Sequence, residues 1–573
     1  MGTQMSETLY KATSERRKKQ QAEGTLPQWY TTAGLAFFEQ KYSYNGCTVK
    51  DRWVQIAKQA ASHLVGTKYE AEAEKKFFDL MWNGWLSLST PVFANMGTDR
   101  GLAVSCAGTT IGDSVYDFYG KQLETAMLTK LGFGTAGYLG NIRSRGSKIS
   151  IGGKASGVVP VFKDFVQLSR DVSQGSTRRG AWAGYLPIDH GDFDELCDYV
   201  FANPDDANVG WCVYDSFIEK LKAQDQDAIR RFQKVMKLKM VTGKGYFHFT
   251  DKVNRLSPPM YKDRGLDVVT SQLCSEVSGF SGVYNGEDYS FTCVLSSMNA
   301  ARYDEWKDTD AVFWSTVFLD CVAQDLIVKG EHIKGIEAAI RFTKASRMLG
   351  LGVCGFHTYL MEHSIPFESL DARFFNNDLF KHINEESIRA SKDMAIELGE
   401  PEFCKGYGLR NTHRLAIAPT KSSASLMGNV SEGINPDPAM TFVQQGAAGE
   451  IERICGPLVK LMKHKGVYTK ANVQQVIDAD GSVQDVQWLT DEEKLVFKTA
   501  FEINQETIIR LASQRQRYID QSQSLNLFID SDEDPLWVSH LHKMAFEDPY
   551  IKNLYYVYST SGVKASKECV ACS

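Results

Sequence analysis

The sequence has no apolar run that reads as long enough to cross a bilayer, and no basic, apolar and small-residue leader at its start. Membrane-spanning and secreted readings are therefore set aside. It also has no excess of positive charge. Its 64 Lys and Arg stand against 70 Asp and Glu, and the formal net charge of -6 gives nucleic acid no electrostatic reason to bind. Dense cysteine spacing is missing too: twelve cysteines are scattered over 573 residues, so a reducing, cytoplasmic setting is expected. No CxxC is matched by a second CxxC or by a histidine pair, which excludes the usual structural zinc site. What remains, at 43% hydrophobic and 23% charged, is a globular chain with a large core. Length alone allows about three or four domains, or fewer if one is a barrel.

Up to about residue 80 the texture is polar and rich in Lys, Glu, Gln and Ala, and its periodicity predicts helices over 54–64 and 70–82. From Leu86 onward, short apolar strands, Gly/Ser/Thr loops and longer helical stretches alternate, the mark of an α/β protein with mostly parallel strands. Strands are expected over 245–249, 291–296, 414–418, 525–529 and 554–558, and an amphipathic helix over 500–517. Gly132, Gly134 and Gly137 have GxGxxG spacing, but the acidic residue expected about twenty positions on is absent. With Arg143 and Arg145 behind it, the stretch reads as a basic Gly-rich loop suited to nucleotide phosphates. Ser173 to Gly180 is a second such loop, where a solvated turn is an even rival. Pro419 to Ser425 lies between a strand and a helix, as a phosphate cradle does, although Ser-rich turns are common.

The chemistry centres on the stretch from Ser271 to Glu276. Cys274 and Glu276 lie two residues apart, and in an extended segment that spacing puts a thiol and a base on one face. An isolated cysteine is more often a small buried hydrophobe, the reading given to Cys47, Cys197, Cys212, Cys321, Cys354, Cys404 and Cys455. Near the other end, Cys569 and Cys572 sit in a polar tail with little to bury, which suits thiol–disulfide exchange better than structure.

Together these pieces resemble the large, catalytic subunit of class I ribonucleotide reductases. In the family's order they are Ser89-Thr90-Pro91 with Ser105-Cys106, the Gly/Arg loops, Leu273-Cys274-Ser275-Glu276, the Cys293 strand, and Ala418 to Ser423 with Gly433-Ile434-Asn435-Pro436. Tyr518 to Asn526, Leu554-Tyr555-Tyr556 and the CxxC tail complete the series. The resemblance implies a ten-stranded α/β barrel with a central finger loop over 83–560, a small helical region over 1–82 before it, and a redox tail over 561–573.

It also implies roles. Cys274 becomes the transient thiyl that takes the ribose 3′ hydrogen, Glu276 the base on the 3′ hydroxyl, and Cys106 with Cys293 the reducing pair. Tyr555 and Tyr556 would relay a radical from a separate ferritin-like small subunit, which holds the metal or radical cofactor. Cys569 and Cys572 would re-reduce the pair and be recycled by a thioredoxin- or glutaredoxin-like protein. Thr90, Ser105, Pro419, Thr420, Lys421, Ser422, Ser423, Ala424 and Ser425 would hold the nucleotide substrate, a diphosphate by the class I resemblance. Asp113, Ser114, Arg143, Ser173, Gln174 and Arg178 would bind the dNTP or ATP effector that selects the base. The chain itself is expected to hold no tight cofactor, to form a homodimer, and to bind neither membrane nor nucleic acid.

Two departures stand out. Gln272 occupies a position where the family usually has Asn, a longer amide that alters substrate hydrogen bonding or needs a rebuilt site. The N-terminal region is too small for an ATP cone, so specificity control without dATP shut-off is expected. One rival is the adenosylcobalamin-dependent class, which shares the barrel and cysteines without needing the Tyr pair. A non-catalytic nucleotide-binding regulator would have no use for five redox cysteines and Glu276. A glycyl-radical relative is disfavoured by redox cysteines where its signature would stand.

Overall fold

The computed structural model describes residues 7–172, 180–205, 208–446 and 449–560. The first part is helical, with helices Glu7–Ala22, Thr32–Lys41, Val49–Ala61 and Glu70–Trp82. The third begins earlier than expected because Thr48 caps it. The Thr48 hydroxyl accepts from Asp51 N, and the Asp51 carboxylate accepts from Thr48 N. Arg52 on this helix is fully buried and donates to the carbonyls of Phe93 (3.0 Å) and Met96 (2.7 Å). It thereby fastens the helical region to the short helix Thr90–Asn95.

Strands Cys106–Thr110, Gly134–Tyr138, Trp182–Pro187, Asn208–Val213 and Tyr246–Phe249 pair in parallel, in chain order. Phe291–Asn299 runs antiparallel to the first of them and parallel to Leu349–Cys354. Bridges Leu351↔Leu415 and Ile417↔Gln523 carry the sheet onward. Leu527–Ile529 pairs with Val557–Ser559, and Asn553–Leu554 returns to pair with Tyr246–Phe249. Followed round, these pairings close the expected ten-segment ring; a further strand, Leu86–Leu88, pairs antiparallel on Phe291–Asn299. Phe291–Asn299 and Leu349–Cys354 are buried along their whole length, as strands covered on both faces must be.

Other expectations shift at their ends. The strand foreseen over 554–558 is split, with Tyr555 and Tyr556 in the break. The helix foreseen over 500–517 spans Gln505–Gln516, because the Asn504 side chain accepts from Glu506 N and sets its start. Ala311–Gly330 departs from the expectation that no run could span a bilayer. By length and apolar composition it could, but most of it is buried inside the protein, where it serves as a core helix.

Candidate active site

The finger loop lies inside the ring, and every residue from Thr270 to Ser278 is buried. It turns where an extended segment was expected. Gln272 O accepts from Ser275 N (3.2 Å), and Ser275 has φ +72°. That left-handed conformation costs a non-glycine residue about 1–2 kcal/mol, and bonds on both flanks hold it. The Tyr185 hydroxyl donates to Gln272 O (2.7 Å), Asn553 Nδ2 to Ser275 O, and the Ser524 hydroxyl to Cys274 O (2.6 Å). Ser522 N donates to Glu276 O (2.9 Å).

The turn separates what a strand would have kept on one face. Glu276 lies in the wall of a cavity of about 50 Å³. Cys274 packs into a buried cluster with Leu273, Tyr246, Tyr555 and Tyr556, and its sulfur is disulfide-bonded in this structure. Burial pushes the Glu276 carboxyl up to about 6, against the lowering effect of hydrogen bonds such as that from Ser524 Oγ (2.9 Å). A carboxyl so placed gains and loses its proton near neutral pH, as a general base requires.

The cavity gathers many of the expected residues. Thr90, Ser105, Cys106, Pro419, Thr420 and Ser423 share its wall with Glu276. Lys421, Ser422, Ala424 and Ser425 stay outside it. Lys421 opens the helix Lys421–Leu426, Ser425 Oγ donates back to Lys421 O (3.1 Å), and Ala424 packs with Cys354, Met427 and Val430. Sequence reasoning missed Ser87, Ser296 and Ser297, which add hydroxyls to the wall. The signal was available: Ser296-Ser297 follows the apolar Val294-Leu295 in a strand buried along its whole length. At this size the cavity admits the reacting end of a ligand, since whole-ligand pockets run to about 300 Å³ and more.

Cys106 and Cys293 are direct partners in the antiparallel register, and both are in the thiol form. Opposed residues in such a pair have Cα atoms about 4.5–5.5 Å apart, within the span a disulfide bridges. Cys106 faces the cavity, while Cys293 lies fully buried behind it. Burial pushes the Cys293 thiol well above its ordinary range. Gln272 is fully buried as well. Its Oε1 accepts from Ser271 Oγ (3.1 Å) and Val277 N (3.2 Å), and its amide, turned to Glu276, is the largest of the hydrogen-bonding effects that lower that carboxyl against burial.

On the far side of the loop, Tyr555 and Tyr556 pack against each other with ring centroids 4.2 Å apart. The Tyr246 hydroxyl donates to the Tyr556 oxygen (3.0 Å), and its ring lies 4.7 Å from that of Tyr555. Lys239, also missed from sequence, is buried and donates from Nζ to Tyr555 O (2.8 Å) and Gly245 O (3.1 Å). Burial pushes its ammonium down to about 7.

Away from the cavity, Arg143 Nε binds Asp113 Oδ2 (2.6 Å), and Ser114 caps the helix Val115–Lys130 by accepting from Asp117 N. Ser173, Gln174, Arg178, Cys569 and Cys572 lie outside the described residues.

A closed ten-segment barrel with a buried carboxyl and two facing cysteine thiols around its central loop has the parts of a redox enzyme of barrel architecture. The family model for "Ribonucleotide reductase, barrel domain" matches residues 104–231, 224–405 and 401–557, and that for "Ribonucleotide reductase, all-alpha domain" matches 28–101. The chain belongs to the ribonucleoside-diphosphate reductase large-subunit family. It is 30% identical over 541 residues to a Frog virus 3 relative, covering 87% of this chain and 92% of that one. It is 28% identical over 498 residues to a vitamin B12-dependent ribonucleoside-diphosphate reductase of Thermoplasma acidophilum, covering 80% of this chain and 61% of the relative. Among solved structures it resembles the class Id ribonucleotide reductase alpha subunit of Actinobacillus ureae, with TM-score 0.86 and 38% identity over 93% of this chain and 98% of that one.

Proposed function

We propose that the chain is the catalytic subunit of a class I ribonucleotide reductase that turns ribonucleoside diphosphates into 2′-deoxyribonucleotides. The observation that carries this is one buried cluster holding Cys274, Tyr555 and Tyr556, behind a loop whose next carboxylate, Glu276, faces the cavity that holds Cys106. A partner small subunit would supply the radical from its own cofactor. Tyr556 and Tyr555 pass the hole inward, and Cys274, once reduced to the thiol, gives up its hydrogen and takes the 3′ hydrogen of the ribose. Glu276 removes the proton of the 3′ hydroxyl. Cys106 protonates the leaving 2′ hydroxyl, and the Cys106–Cys293 pair ends as a disulfide. Cys569 and Cys572 then reduce it by exchange and are recharged by a thioredoxin- or glutaredoxin-like protein.

The radical's entry follows from the aromatic contacts. Tyr558 lies 5.8 Å from Tyr556 and stacks at 5.2 Å on Phe528, which lines a second cavity of about 280 Å³ with Trp537 and Leu541. We place the small subunit over that end. The homodimer contact is assigned to the exposed stripe Val115, Tyr116, Tyr119 and Leu123, beside the Asp113–Arg143 pair of the effector site.

The test is nucleotide reduction with dithiothreitol, comparing an added ferritin-like radical subunit with added adenosylcobalamin. Product is expected only with the protein partner, and Tyr556→Phe and Cys274→Ala should each abolish it. Turnover with adenosylcobalamin alone would move the chain to the other class and leave the tyrosines as packing.

A further inference from the structure

We propose that Gln521 is a positioning residue for the thiol pair, holding Cys293 as the inner thiol and tying it to the finger loop. This rests on the reading of Cys106 and Cys293 as the reducing pair. Gln521 is fully buried. Its Oε1 accepts from Ser278 N on the finger loop (3.2 Å), and its Nε2 donates to Leu349 O (2.6 Å) and Cys293 Sγ (3.6 Å). The amide's orientation is forced, since Ser278 N can only donate and Leu349 O can only accept. An N–H is therefore aimed at the sulfur. One side chain thus joins the loop that carries Cys274 and Glu276, the strand that carries Cys293, and its neighbour.

The amide is itself held. Gln521 N donates to Leu415 O (3.1 Å), and Gln521 O accepts from the buried Lys552 Nζ (2.8 Å). Across from it the sulfur rests over Gly350, where an added Cβ would come within 2.8 Å of Cys293 Sγ. Glycine on one side and the amide on the other fix where the sulfur lies.

This seat divides the work of the pair. In the step itself the substrate C–OH becomes C–H and releases water, while two thiols lose two hydrogens and join as a disulfide; the balance needs no other reactant. Cys106, in the cavity wall, gives the proton to the departing hydroxyl. Cys293 has no access to the cavity wall. Its own proton becomes the second hydrogen the product gains, and the Gln521 N–H stabilises the thiolate left behind, where no water can, until the neutral S–S bond forms.

The test reads the pair without turnover, so it stands even if the class I reading fails. In a full-length chain carrying Cys569→Ala and Cys572→Ala, the fraction of Cys106–Cys293 disulfide is measured against graded dithiothreitol by alkylation and mass spectrometry. Gln521→Met removes the donor and should move the equilibrium toward disulfide by about five-fold, the loss of one hydrogen bond. Gln521→Glu keeps the acceptor for Ser278 N, and its shift should grow with pH as the carboxylate ionises. Turnover of the two Gln521 variants with the tail cysteines intact should show a lowered kcat at unchanged KM, because Gln521 does not touch the cavity. If Gln521→Met does not fold, Gln521→Glu decides alone. A disulfide fraction within two-fold of the parent in the folded variants overturns the proposal.

Discussion

Glu276 shows how one residue acquires its chemistry from its surroundings. A carboxylate in water would be ionised far below neutral pH, whereas burial here raises it to about 6. Acting as a base, it must be ionised, so the rate should rise with pH through about 6 and level off above it. Glu276→Gln should lose at least about 100-fold in turnover, together with that acidic limb. The same shift bears on stability. A carboxyl whose folded pKa is raised stabilises the fold only while protonated, and the contribution is lost as pH rises from about 4.5 through 6. Glu276→Gln should therefore be more stable than the parent by about 2 kcal/mol at pH 8 and nearly equal to it at pH 4, as read by urea unfolding. The Cys–Glu spacing was legible in the sequence. The turn that sends Cys274 toward the tyrosines and Glu276 into the cavity was not, because Ser275 adopts φ +72° only under bonds from Tyr185, Asn553 and Ser524.

At the scale of elements, strand packing decides where the thiols lie. Gly350 lies in the buried strand Leu349–Cys354, and a Cβ there would meet Leu295 Cδ2 at 2.3 Å and Cys293 Sγ at 2.8 Å. Gly350→Ala should cost about 1–3 kcal/mol by overpacking and lower the rate of Cys106–Cys293 disulfide formation; a melting temperature and disulfide rate equal to the parent's would contradict this placement of the sulfur. The tyrosine pair makes the same point. In a continuous strand, adjacent side chains point to opposite faces, so Tyr555 and Tyr556 would have served two surfaces. The strand breaks at these residues, and both rings enter one cluster with Tyr246. Strand placement was readable from apolar runs. The break was not, since it depends on Tyr555 N pairing with Leu525 O and Leu527 N with Tyr556 O.

Over the whole molecule, the exposed side chains of the helix Val115–Lys130 carry the next prediction. Tyr116 is 88% exposed and Val115 68%, with Tyr119 and Leu123 on the same helix. Tyr116→Asp should weaken self-association by about ten-fold or more in sedimentation with a dNTP effector, while leaving the monomer's melting temperature unchanged. An unaltered dimer would remove this helix from the interface. The sequence by itself determined the alternation that marks an α/β protein, the early helices, and the cysteines, carboxylate and hydroxyls available for chemistry. Those follow from spacing and side-chain type, which act over a few residues. Only the tertiary structure decided that Cys106 faces Cys293, that Gln521 reaches Cys293 and Ser278 together, and that Lys421 and Ser425 stay out of the cavity wall. Register, burial and the closing of the ring depend on contacts between distant segments, and a local pattern does not carry them.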